Sequence, residues 1–197
     1  MCGATAGGSL DAAEFSNHGQ RVDLNGWGWN VTTCGYGDLQ GDPEPEQTWY
    51  TAGFSGTSSA SPIVTGSVAS LQGMVRALHG FNLDARLARD ILRETGTATN
   101  AGHLIGTRPN LEAAFPLAAA SIGEISGTVT DAATGLPIPG VSVEVADNGA
   151  FAVTDDFGQW RLTQMAGTVA LDFSSYYYES GQGRTSVSAG QSVVFDV

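Results

Sequence analysis

The spacing of apolar and polar positions changes character twice along the chain. Over residues 1–55 the apolar positions fall in short runs, Arg21-Val22-Asp23-Leu24 and Trp29-Asn30-Val31-Thr32-Thr33, punctuated by Gly26 and Gly28. That is the pattern of short strands separated by turns. The segment 57–79 then adopts a helical period. Val64, Val68, Leu71, Val75 and Leu78 recur at intervals of four, three, four and three, which places them on one stripe of a single long helix. Ala60, Gly66, Ala69 and Gly73 keep the other faces small. Glycine costs helix propensity, so the pattern predicts a helix held by close packing within a larger body. A second helix is expected over Leu83–Thr95, with Asn82 as N-cap, a face of Leu83, Leu87, Ile91 and Leu92, and Gly96 as its stop. A third, short piece is expected after Pro109, over Asn110 to Phe115.

From Glu124 onward the period becomes two. Ile125/Val129, Val141/Val143/Val145, Phe151/Val153, Trp160/Leu162, Val169/Leu171/Phe173 and Val193/Phe195/Val197 form alternating sets. Asp131 to Gly135, Asp147-Asn148-Gly149 and Asp155 to Gly158 supply the turns between them. Several short strands at this spacing indicate an all-β sandwich. Leu117 to Gly123 reads as a short linker, so two domains are expected, 1–122 and 123–197.

Composition narrows the picture. In 197 residues, 42% are hydrophobic and 14% charged, enough apolar content for true cores and too little charge for a disordered acidic segment. No stretch approaches the roughly 18 apolar residues of a membrane span. Asp and Glu number 20 against 8 basic residues, all of them Arg, for a net charge of -12. Such a chain repels phosphate backbones, which argues against nucleic acid as a partner. Met1 to Gly8 lacks the basic and apolar regions of a signal peptide and reads as a strand entering a Gly-rich turn, as though inside a domain.

Cys2 and Cys34 are too few to staple a small fold and have no zinc-site spacing. A disulfide between them and two separate thiols are both open at this point, and neither has the surroundings of a nucleophile. The acidic, Pro-containing stretch from Asp38 to Gln47 is expected to be a surface loop. Asp38, Asp42, Glu44 and Glu46 could offer oxygens to a structural calcium ion, but their spacing matches no calcium loop, so no cofactor or metal is expected.

The run that carries chemistry is Phe54-Ser55-Gly56-Thr57-Ser58-Ser59-Ala60-Ser61-Pro62-Ile63-Val64-Thr65-Gly66, a Gly-containing turn opening onto the long helix. The first N–H groups of a helix have no intrahelical partner, and the helix dipole adds positive potential there. Both suit a serine whose attack generates an oxyanion. Pro62 is expected near the first turn, where little hydrogen bonding is lost. On the residues alone, an ordinary Ser/Thr helix cap is the better explanation of the run.

The segment GTSSASPIVTG resembles the subtilase signature Gly-Thr-Ser-x-Ala-x-Pro-x-Val-x-Gly at every defined position, with Ser58 on the nucleophile. Phe15-Ser16-Asn17-His18-Gly19 followed by Val22-Asp23-Leu24 resembles the family's preceding Phe-Ser-Asn-x-Gly…Val-Asp segment. Leu83 to Thr95 and Gly106 to Ala113 resemble its closing helices, so the likeness covers about residues 1–115, the last part of a subtilase domain. The resemblance implies a partial α/β subtilisin-like fold built on a central nucleophile helix, a polypeptide substrate and a secreted enzyme. It also implies that the triad Asp and His and the oxyanion-hole Asn belong upstream of the matched segment. His18 falls on the variable position of its motif, His79 ends the helix about 30 Å from Ser58, and His103 lies in a Gly-containing loop. None is expected to be the general base, and Asp23 matches a structural position. A rival reading keeps the scaffold but not the catalysis, as a surface or adhesion protein. A lipase or esterase is disfavoured because Gly-x-Ser-x-Gly is absent around Ser58.

Three segments resemble the carboxypeptidase regulatory-like (transthyretin-like) sandwich: Gly127 to Asp131, Gly135 to Val143 and Thr154 to Leu162. The likeness implies a non-catalytic accessory domain. Asp155 and Asp156 are expected to form a turn in preference to holding a cation. Tyr176-Tyr177-Tyr178 is either edge packing or an exposed patch for protein or glycan.

Overall fold

The computed structural model describes residues 1–7, 9–35, 37, 39–40, 49–100 and 102–197. The carboxylates considered for calcium, Asp38, Asp42, Glu44 and Glu46, lie outside the described residues. The chain resolves into two compact units, residues 1–71 with 89–114, and residues 72–88 with 115–197.

In the first unit, β1 (Cys2–Thr5) pairs in parallel with β2 (Leu24–Trp27), from Cys2↔Leu24 to Thr5↔Trp27. On its other side Leu24 bridges Thr107, and the Asn25 amide donates to the Thr107 carbonyl at 2.9 Å, so β2 is paired along both edges. The strand expected at Arg21–Leu24 begins only at Leu24, because Val22 N–H closes a turn onto the Gly19 carbonyl. β3 (Val31–Cys34) pairs antiparallel with β4 (Tyr50–Phe54). It starts two residues later than the Trp29 expected, since Asn30 sits at φ 52°, outside strand geometry.

The long helix α1 spans Thr57–His79 without a break. Of its expected stripe, Leu71 and Val75 are fully buried and Val64 and Val68 half-buried, but Leu78 is 54% exposed. The small face is open too: nothing stands within 4 Å of where a Cβ would lie on Gly66 or Gly73. Helix α2 (Ala85–Thr95) buries Leu87, Ile91 and Leu92 as expected, with Leu83 buried just before it. Its cap is Asp84, not Asn82. The Asp84 carboxylate accepts the Arg86 N–H at 2.8 Å and lies 3.4 Å from the Leu87 N–H.

Helix α3 (Leu111–Ser121) runs well past the expected end at Phe115 and through Pro116. Asn110 caps it, and the alanines at 118–120 favour helix strongly enough to outweigh the one ladder bond that proline removes. The linker expected at 117–123 is therefore the end of α3 followed directly by β5 (Ile122–Thr128).

The remaining strands are β6 (Ser142–Val145), β7 (Phe151–Val153), β8 (Gln159–Met165), β9 (Gly167–Ser174), β10 (Gly181–Val187) and β11 (Ser192–Val194). They form two sheets with orders β10-β9-β6-β7 and β11-β5-β8. Between them Ile125, Val143, Leu162, Leu171 and Phe173 close one apolar core, with Trp160 edge-on to Phe173. Phe151 and Val153 alternate as expected but on the outer face: Ala152 between them packs against the core, so the two larger side chains are exposed. The Asp155 carboxylate accepts the N–H groups of Phe157 and Gln159, which makes it a turn former. The second unit also takes in the end of α1. The Gln72 side chain satisfies both the N–H and the carbonyl of Leu83 at 2.8 Å, and His79 stacks on Phe81.

Candidate active site

Ser58 is the second residue of α1, and the segments beneath it fix where it stands. Gly56 adopts φ 110°, a conformation open to glycine alone, and its N–H donates to the Gly28 carbonyl at 2.8 Å. Gly28 in turn donates to the Thr5 carbonyl at 3.0 Å, tying the turn to β1. A Cβ on Gly26 would stand 2.6 Å from the Ala60 carbonyl oxygen, and one on Gly28 would stand 2.5 Å from the Ala4 Cβ. The first turn of α1 thus lies directly on the backbone of β2, at a distance only glycine permits.

Three serines share that turn, and the structure separates them. Ser59 is buried, with its hydroxyl 2.8 Å from the Gly56 carbonyl and 3.1 Å from that of Trp27. Ser61 lies beside the Cys2 thiol, whose pKa is pushed up by burial, a rise the Ser61 hydroxyl partly offsets. Ser58 is exposed, and among the described residues its hydroxyl has no hydrogen-bond partner. The first turn of α1 contains no acidic side chain of its own to offset the positive end, while Arg76 and His79 sit in the last turn. Pro62 is the sixth residue of the helix, beyond the first turn, and removes the ladder bond that the Ser58 carbonyl would accept.

The other candidates do not converge on Ser58. His18 is exposed, its ring 3.4 Å from the Ser16 carbonyl; His103 is exposed in its loop; His79 is 3.2 Å from the Ala119 carbonyl in the second unit. Asp23 pairs with Arg93 at 3.4 Å, an ion pair that holds the approach to β2. Cys2 and Cys34 are both free thiols. Among the described residues no group of His, Cys, Asp and Glu is arranged to hold a metal ion, and no helix is long and apolar enough to cross a membrane. Trp27 and Trp29, each 47% exposed, border a cavity of about 620 Å³ that also meets Ile63 of α1.

Residues 3–106, which include the turn bearing Ser58 and the strands beneath it, match the Subtilase family. The chain belongs to that family. Residues 124–197 match the carboxypeptidase regulatory-like domain. Across 98% of its length this subtilase chain is similar to fervidolysin from Fervidobacterium pennivorans, a keratinolytic enzyme related to subtilisin, at 22% identity and a TM-score of 0.50. It spans 36% of the length of that enzyme. Smaller portions are similar to the Bacillus anthracis TIE protein (17% identity, 39% of this chain and 16% of that one, TM-score 0.35) and to the minor pilin GBS52 of Streptococcus agalactiae (17%, 46% and 46%, 0.33). No curated protein matches the chain. Close backbone approach explains two glycines that the sequence pattern marks only as punctuation. Gly26 and Gly28 seat the turn that carries Ser58, and the one signal of that role is their Gly-x-Gly spacing ahead of the serine motif.

Proposed function

We propose that the chain is the nucleophile-bearing part of a secreted serine endopeptidase, in which Ser58 attacks a peptide carbonyl and forms an acyl-enzyme. The observation that supports it most is the contrast within one helix turn: Ser59 is anchored, while Ser58 stands exposed and unpartnered at the positive end of α1. In this reading the Ser58 backbone N–H joins an oxyanion hole, since the first N–H groups of a helix lack carbonyl partners. The base and acid of the triad are assigned to segments outside these 197 residues, because His18 lies at the Ser16 carbonyl, His79 at the Ala119 carbonyl, and His103 is exposed in its own loop. Without a base a serine hydroxyl is a weak nucleophile, so the chain by itself is expected to be inactive. The substrate class is polypeptide, and neither a metal nor a cofactor enters the chemistry.

Imidazole can stand in for the missing base. Incubated with p-nitrophenyl acetate, the chain is expected to gain an acetyl adduct on Ser58 faster when imidazole is added, and Ser58→Ala to lose that adduct. Adducts falling equally on Ser61, or none on Ser58 with imidazole present, would refute the assignment.

A further inference from the structure

The loop joining β9 to β10, residues 175–180, carries the most exposed aromatic surface of the second unit. Tyr176 is 93% and Tyr177 86% exposed, far beyond what sandwich edge packing leaves open. Their rings meet edge to face, 4.9 Å apart at 82°. The residues on either side of this pair, Ser175 and Tyr178, line a cavity of about 410 Å³. Its floor is apolar, formed by Ile138, Val141 and Phe173 of the core, and its rim is polar, with Thr130, Asp131 and Glu179. Its size is that of small-ligand sites, and it combines an apolar wall with a few placed polar groups.

The chemistry of the rim selects the ligand. Among the described residues lining the cavity there is no Lys or Arg, and Glu179 makes no ion pair. With a net charge of -12 on the chain, anionic ligands such as phosphates or acidic glycans are repelled. What remains is a neutral molecule with apolar C–H faces and many hydroxyls. Aromatic faces are electron-rich, so the C–H face of a pyranose stacks on tyrosine. Carboxylates accept from the sugar hydroxyls, and threonine and serine hydroxyls both donate and accept. A protein partner would have to meet the unpaired Glu179 with a basic side chain, an outcome the test below separates.

We propose that the Tyr176–Tyr178 loop and the adjoining cavity form a binding site for a neutral oligosaccharide, independent of Ser58. One ring of the Tyr176–Tyr177 pair offers its face for stacking while the other braces it edge-on, and Tyr178, Glu179 and Thr130 hold one sugar ring at the cavity mouth.

The test is calorimetric titration of the full chain with cellohexaose, chitohexaose, maltohexaose and xylohexaose, compared with Tyr176→Ala/Tyr177→Ala and with Glu179→Gln. Saturable binding of at least one hexaose is expected, weakened about tenfold or more in the double tyrosine variant. Glu179→Gln tests the hydrogen-bonding half of the site and should weaken binding with the fold intact. Unchanged melting temperatures for both variants separate loss of binding from loss of fold. Binding of none of the four hexaoses, or binding unaltered by the tyrosine changes, would overturn the proposal. So would salt-sensitive, tyrosine-dependent binding of poly-arginine in their place, which would mark a basic protein partner.

Discussion

The two units of the molecule solve the burial problem in different ways. The second closes an apolar core between two sheets, with Ile125, Val143, Leu171 and Trp160 sealed inside. The first has only short two-stranded pairings among its named strands, and leaves Trp27, Trp29, Tyr50 and Phe54 substantially exposed around the turn that presents Ser58. The sandwich is organised around a filled interior. The first unit also buries Leu71, Ile91, Leu92 and Ile105, but its candidate site rests on backbone proximity, with glycines letting α1 lie on β2 and one serine turned outward. The lesson is that one unit rests on apolar volume alone, while the candidate site of the other depends on close main-chain contact as well.

Cavity formation should expose that difference most strongly. Ile125→Ala or Leu171→Ala removes a fully buried side chain from the sandwich and is expected to cost about 2–5 kcal/mol in denaturant unfolding. Gly26→Ala acts the opposite way, adding one methyl where the Ala60 carbonyl stands at 2.6 Å. It is expected to destabilise the first unit by about 1–3 kcal/mol and to slow modification of Ser58, because the first turn of α1 must move. Equal loss of stability without any effect on Ser58 would break the link drawn between that glycine and the site. Asp84→Ala, which removes the true cap of α2, should cost about 1 kcal/mol, whereas Asn82→Ala should change little.

Two smaller effects concern ionisation. The Asp131 carboxylate is held below its usual pKa chiefly by the Thr134 N–H, with the Thr134 hydroxyl and the Ala133 N–H adding to it. A depressed folded pKa means a stabilising contribution that is present above the ordinary carboxylate value of 3.8 and lost as the pH falls through the lower folded value. The melting-temperature gap between the native chain and Asp131→Asn should therefore be constant near neutral pH and close in strong acid. Burial raises the Cys2 thiol pKa, so iodoacetamide should modify exposed Cys34 well before Cys2. Matching rates for the two thiols would show that β1 is not packed as described.

Much of this was legible in the sequence, and the misses have physical causes. The bounds of α1, the buried face of α2 and the turns at Asp131, Asp147 and Asp155 follow from periodicity and local turn chemistry, which are short-range. The end of α3 did not, because a proline and an alanine run give opposite signals and only the continuation into β5 decides between them. The exposure of Leu78 was equally hidden, since a stripe on a helical wheel says which residues align and not which of them find a partner surface. At the site, the signature singled out Ser58, but the anchoring of Ser59 by the Trp27 carbonyl depends on a residue 32 positions away in sequence.

The central claim is that Ser58 is presented but not activated, and fluorophosphonate labelling of the chain, mapped by tandem mass spectrometry, tests it most directly. Slow labelling confined to Ser58, and absent in Ser58→Ala, is the expected result. Fast stoichiometric labelling would mean that a base lies within these 197 residues, and labelling spread over Ser59 and Ser61 would mean that the turn does not single out one hydroxyl.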